Sequence, residues 1–280
     1  MTSSWMNMNW HIIWNIALKD WKEVLRNRMT WTPSLIVPLI FVVVLPLVIT
    51  LLPQFVNLTN ASMNADLDVM LNALPPSLHA EISGMDPNQM MIVLTLGFMF
   101  APLFLIMPLM IASIIGSDSI VGEKERKTLE ALLYTPATDR ELYLAKVLSA
   151  FLPAVLIAWV SFAVYTVVTN VAGMPIMGRV WFPLPHWWAL ILWVAPAVAA
   201  LGMSVIVMVS SRVSTFMAAQ QISGLLVLPI VLLVIGQLSG VVYFGVELVL
   251  LLGAVIWLLD AALLWLGVKQ FSRSALMVRI

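Results

Sequence analysis

Apolar residues fill six long stretches of this chain, and polar residues gather between them. Leu35 to Leu52, Met91 to Ile115, Val147 to Thr169, Trp187 to Val209, Phe216 to Leu238 and Val246 to Val268 each approach the roughly 20 residues a helix needs to cross a ~30 Å hydrocarbon core. The pattern predicts six transmembrane helices within residues 31–280. Prolines fall inside several of these runs, Pro38, Pro102, Pro153 and Pro229 among them, which lipid-embedded helices tolerate when neighbours satisfy the freed carbonyls. Ahead of the first run, Trp10, Ile13, Trp14, Ala17, Trp21, Val24 and Leu25 recur at helical spacing, with Lys19, Lys22, Glu23 and Arg26 on the other side. Residues 1–30 are therefore predicted to carry an amphipathic helix in the membrane surface, its indoles at headgroup depth.

Composition agrees with the pattern. The chain is 62% hydrophobic and only 10% charged, against roughly 25% charged in a soluble domain. It reads as an all-α integral membrane protein whose surroundings are the lipid bilayer. Zero net charge gives no electrostatic basis for a nucleic-acid partner. Without cysteine there is no disulfide framework or thiolate chemistry.

Charge placement supplies the orientation. With the N-terminus inside, thirteen of the 14 Lys and Arg fall on the cytoplasmic side and only Arg179 lies outside. The positive-inside rule then puts both termini in the cytoplasm and predicts a multi-pass protein of the cell membrane. The outside loop, residues 54–90, carries Asp66, Asp68, Glu81 and Asp86 and no basic residue. In the later outside turn, His186 beside Trp187 and Trp188 reads as a headgroup-level contact, with no second ligand at metal-binding spacing.

Between the second and third runs, residues 116–146 hold eleven of the 28 charged residues. Ser119 to Tyr134 has no breaker but Gly122, and Pro136 excludes the helical region for Thr135, so a helix is predicted that ends in a corner. Glu123 with Lys127, and Arg126 with Glu130, have the i,i+4 spacing of exposed ion pairs. Past the corner, Thr138 and Glu141 fit a capping box, starting a second helix at Asp139. Such a segment is either a solvated hairpin or a docking element for a soluble partner.

Reacting groups are missing from the sequence. It has no His-Glu-x-x-His, no Gly-x-Ser-x-Gly and no phosphate loop, so this is not an enzyme, and any ATP that drives it is bound by another polypeptide. One acid, Asp260, lies inside the last apolar run. It is either a cation or proton site or a packing contact with Gln220, Gln221 or Ser210.

Glu125-Arg126, Thr128-Leu129-Glu130, Thr135-Pro136 and Ala145-Lys146 resemble the Glu-Arg, Thr-Leu-Glu, Thr-Pro and Gly-Lys pattern of the ABC-2-type permease family. The resemblance extends to the surface helix, the six spans and the long first outside loop. Ala145 departs from it, where members often have Gly. The turn from Ser239 to Gly245 is also too short for the re-entrant hairpin of some members. The resemblance implies a half-transporter: two permease copies, identical or not, enclose a pathway above two ABC ATPase subunits that bind ATP and Mg, and this chain binds no cofactor. The ATPase-coupling residues would be Glu123, Glu125, Arg126, Thr128, Leu129, Glu130, Tyr134, Thr135, Pro136, Glu141 and Lys146, with Val209 to Ser214 as a smaller second contact. Export is the direction the resemblance implies. The rival reading is a secondary transporter driven by an ion gradient, which calls for inverted repeats and several midplane polar groups. Neither is seen here.

Overall fold

A computed structural model describes residues 8–55, 82–128, 136–210, 212–239, 241–242 and 244–270. All regular structure among them is helical. Helix α1 spans Trp10–Arg26. Six further helices among the described residues are long and apolar enough to cross a membrane: α2 (Trp31–Leu51), α3 (Pro87–Glu125), α4 (Asp139–Met177), α5 (Pro185–Ser210), α6 (Phe216–Leu238) and α7 (Val246–Gly267). Most of the first outside loop, with Asp66, Asp68 and Glu81, lies outside the described residues, while Asp86 forms a capping box with Gln89 at the start of α3.

Local chemistry sets the helix ends. Asn9 caps α1 by accepting the His11 N–H. At the start of α4, Thr138 Oγ accepts the Glu141 N–H while the Glu141 carboxylate accepts the Thr138 N–H. The same helix stops at Gly178, whose φ of 65° closes its N–H onto the Met174 carbonyl. Thr215 caps α6 through the Ala218 N–H.

At 39 residues and 1.5 Å per residue, α4 is roughly 58 Å long, far more than the ~30 Å hydrocarbon core requires. Both α3 and α4 overshoot their apolar runs and carry the charged stretch on their ends. The helices of that stretch are therefore continuations of two spans, and the first stops well short of Tyr134. It widens into a π turn at Asp118–Gly122, ends at Glu125, and the backbone turns left-handed at Lys127, φ 57°.

Helices α3 and α5 form the centre, with 67% and 72% of the residues in an 18-residue apolar stretch of each buried, whereas for α2, α6 and α7 that share is only 28%, 22% and 17%, which leaves broad apolar faces to lipid or a second copy. Between spans the hydrophobic effect gives no drive, so close packing of small residues must supply it. Gly116 faces Met203, and Gly202 lies so near α3 that a Cβ there would stand 3.0 Å from the Leu109 carbonyl oxygen and 3.1 Å from Ser113 Oγ. Gly202→Leu should therefore force the central pair apart at a cost of about 1–3 kcal/mol. Its melting temperature in detergent should fall, while Gly224→Leu, with open space around it, should melt close to the parent.

The half of the bundle near Gly178 is locked by an aromatic cluster of Phe104, Phe162, Tyr165, Phe182 and Trp187. Tyr165 Oη donates to the Leu96 carbonyl at 2.7 Å, and Trp187 Nε1 to the Gly97 carbonyl at 2.6 Å. His186 is no headgroup-level contact: it is 3% exposed, stacks on Phe98 and has Nε2 2.9 Å from the same Gly97 oxygen.

Candidate functional site

At the opposite end, α1 crosses the ends of α3 and α4 and carries three faces. Ile13, Ile16, Ala17 and Val24 pack against the bundle. In phase with them sits an acid, Asp20, 1% exposed. An unpaired carboxylate at such a position would be expensive, and its partner comes from α4. Lys146 Nζ, also 1% exposed, donates to Asp20 Oδ1 and Oδ2 at 3.2 and 3.0 Å and to Glu123 Oε2, on α3, at 2.7 Å. Glu123, likewise 1% exposed, takes a second hydrogen bond of 2.6 Å from Lys19.

Hydroxyls and an indole complete this cluster. Ser119 Oγ donates to Asp20 Oδ2 at 2.6 Å, and Ser149 Oγ lies 3.4 Å from Ser119 Oγ. Trp21 Nε1 donates to the Ser149 carbonyl at 2.8 Å. Two carboxylates, Asp20 and Glu123, are thus balanced by two ammonium groups, and three helices are fastened at one point. The carboxylate oxygens of Asp20, Glu23 and Glu123 lie within 4.8 Å of one another, close enough for a metal, but Lys19 and Lys146 already supply the positive charge among them. Burial works against the Lys19 ammonium, yet the hydrogen bond and charge of Glu123, helped by Asp20 and Glu23, outweigh it and raise its pKa.

The other predicted coupling residues are drawn into similar internal contacts. Arg126 Nη1 donates to Asp118 Oδ1 at 2.8 Å, and the Asn27 amide reaches the same oxygen at 3.2 Å. Glu125 Oε2 accepts the Phe216 N–H at 2.9 Å, joining the end of α3 to the first turn of α6. Lys124 Nζ donates to the Val213 carbonyl at 3.4 Å, in the turn before α6. The Thr128 N–H and Oγ both donate to the Glu123 carbonyl. Glu141 caps its own helix and accepts the Asn9 N–H at 2.7 Å, tethering the start of α1. Pro136 is exposed, and Leu129, Glu130, Tyr134 and Thr135 lie outside the described residues.

The expected exposed pair Glu123–Lys127 does not form, because Glu123 points inward to Lys19 and Lys146 and the helix has ended before Lys127. Arg126 pairs with Asp118; Glu130 lies outside the described residues. Sequence reasoning missed Asp20, Lys19, Ser119 and Ser149. Only Asp20 carried a signal, an acid in phase with Ile13, Ile16, Ala17 and Val24 on the apolar side of the helix.

The predicted intramembrane polar residues share no hydrogen bond among the described residues. Gln220 Nε2 donates to the Ser113 carbonyl at 2.9 Å, Gln221 is exposed, and Ser210 Oγ donates to the Val207 carbonyl. Asp260 is 1% exposed on α7, with no hydrogen-bond partner for either carboxylate oxygen among the described residues. It makes no hydrogen bond with Gln220, Gln221 or Ser210.

A family model described as ABC-2 family transporter protein matches residues 14–256. No curated protein matches the chain.

Proposed function

The chain belongs to the ABC-2 transporter family, and from that premise we propose that it is the permease half of an ATP-driven exporter, coupled to a separate ATPase through residues 116–146. Membership makes it a multi-pass membrane transport subunit, and the family implies association with ABC ATPase subunits. Two permease copies, identical or not, would enclose the pathway. ATP and Mg would stay on the ATPase.

The observation that carries this reading is the buried junction of Asp20, Glu123 and Lys146. A solvated hairpin needs no such anchor. Here the segment is fixed on one side by Glu123, Glu125 and Arg126 and on the other by Thr138, Glu141 and Lys146. A push on residues 129–136 would pass without slack into α1, α3, α4 and α6, which would move as near-rigid bodies. Asp260 is what an ion-driven carrier would call on, but one acid without a hydrogen-bond partner among the described residues supports no ion pathway.

Purification from the native membrane in mild detergent should bring an ATPase along, and its absence at every detergent strength would remove this reading. Orientation has its own check, since the chain has no cysteine. Single cysteines at Ser62 and Val180 should react with an impermeant thiol reagent in intact cells, and those at Lys127 and Thr128 only after lysis. Labelling of Thr128 from outside would invert the arrangement and put the charged junction on the wrong side for an ATPase.

A further inference from the structure

Besides its packed face, α1 has an apolar flank that the protein leaves uncovered: Trp10, Trp14 and Leu25 are 63%, 47% and 70% exposed. Under the C-terminal half of that flank is a cavity of about 290 Å³, lined by Trp21, Val24, Leu25, Trp31, Leu156 and Ile157. Its walls come from α1, α2 and α4, with Ile115 of α3 at the back. The Trp21 ring is held as one wall by its hydrogen bond to the Ser149 carbonyl. Leu35 of α2 and Leu156 of α4 stand at the rim, and Ile36 and Val160 lie next along the same two helices, all exposed apolar residues of membrane spans.

Beyond the indoles, α1 turns a basic edge outward. Lys22 and Arg26 follow directly on the groove residues Trp21 and Leu25, one helical turn apart, and both are exposed. Neither has a carboxylate partner among the described residues, in contrast to Lys19, which is committed to Glu123. Two unpaired cations beside an apolar groove that opens onto the lipid-facing surface match a molecule with an anionic head and a hydrocarbon tail. A soluble protein would have to reach a groove whose rim is continuous with the bilayer.

We propose that this groove holds an acyl chain of an anionic phospholipid whose phosphate is bound by Lys22 and Arg26. The proposal rests on the reading of α1 as a surface helix beside six membrane spans. It does not rest on ATP coupling. Tail burial gives the groove affinity for any phospholipid, and the two cations give preference for a negatively charged one.

The test uses the purified chain with whatever ATPase accompanies it, equilibrated with equimolar phosphatidylglycerol and phosphatidylcholine, and counts retained lipids by native mass spectrometry. Each surface cation is worth roughly a fivefold preference, so the parent should retain phosphatidylglycerol about tenfold or more over phosphatidylcholine. Lys22→Gln with Arg26→Gln should bring that ratio close to one and leave ATPase co-purification unchanged, since the Lys19–Glu123–Lys146 junction is untouched. Leu156→Trp, which fills the groove from a half-exposed position, should lower retention of both lipids together. A parent without preference, a double variant that keeps it, or a filled groove that still retains lipid would each overturn the proposal. Loss of the ATPase from the parent would count against the coupling reading and leave the lipid ratio as it was.

Discussion

Lys146→Met is expected to be the most damaging single substitution in the chain. It removes the cation standing between Asp20 and Glu123, all three groups being 1% exposed. Lys19 remains, but it is 40% exposed and its close contact is with Glu123, leaving Asp20 with only the Ser119 hydroxyl and a 3.9 Å approach of Lys19. Leaving a buried charge uncompensated costs about 3–5 kcal/mol, a large share of a net stability of about 5–15 kcal/mol. The yield of monodisperse protein and its melting temperature should both fall sharply. Lys146→Arg should rescue little, because a planar guanidinium needs more room than this closed slot offers an ammonium. Adding Asp20→Asn and Glu123→Gln to Lys146→Met should recover most of the loss, since replacing a whole buried ionic cluster by neutral groups is often nearly neutral. Lys19→Ala should cost much less, in line with its solvent exposure. Parent-like melting of Lys146→Met would mean the junction does not hold α1 to the bundle.

The spans were legible because a hydrocarbon core demands long apolar runs, and that demand is local in sequence. The capping box at Thr138 and Glu141 was legible for the same reason, as both residues lie within one turn. The junction was not, because Asp20 and Lys146 are 126 residues apart and periodicity carries no information at that range. Glu123 was misread because the i,i+4 rule assumes a solvated helix that continues, and this helix ends near Lys127 with its acid turned inward. Asp260 was legible as an acid in an apolar run. The polar groups proposed as its partners make no hydrogen bond to it, and the Gln220 amide is taken by the Ser113 carbonyl. The basic edge of α1 was visible as charge, but only the fold separates Lys19, which is paired with Glu123, from Lys22 and Arg26, which have no carboxylate partner among the described residues.

Replacing residues 129–135 by a Gly/Ser segment of equal length should separate the transporter from its ATPase without harming the bundle. The reason lies in where the anchors are. On the α3 side, Glu123 is held by Lys146 and Lys19, Arg126 by Asp118, and Glu125 by the Phe216 N–H. On the α4 side, Thr138 and Glu141 cap the helix, and Glu141 holds Asn9. None of these contacts involves the replaced residues, so insertion and melting temperature should stay near those of the parent. A Gly/Ser linker behaves as a flexible coil that offers a partner no specific side chains and transmits no push. The ATPase should then fail to co-purify, or remain bound with an activity that no longer responds to the permease, and transport should be lost. Lys124→Glu, which gives up one 3.4 Å hydrogen bond to the Val213 carbonyl, should keep most of the coupling, because isolated surface charges contribute about 0–1 kcal/mol. Two matched readings, ATPase retained on the purified complex and transport at equal membrane levels, separate the outcomes. Full coupling in the linker variant would move the docking surface away from this segment, and the second contact near Val209 to Ser214 would then have to carry it alone.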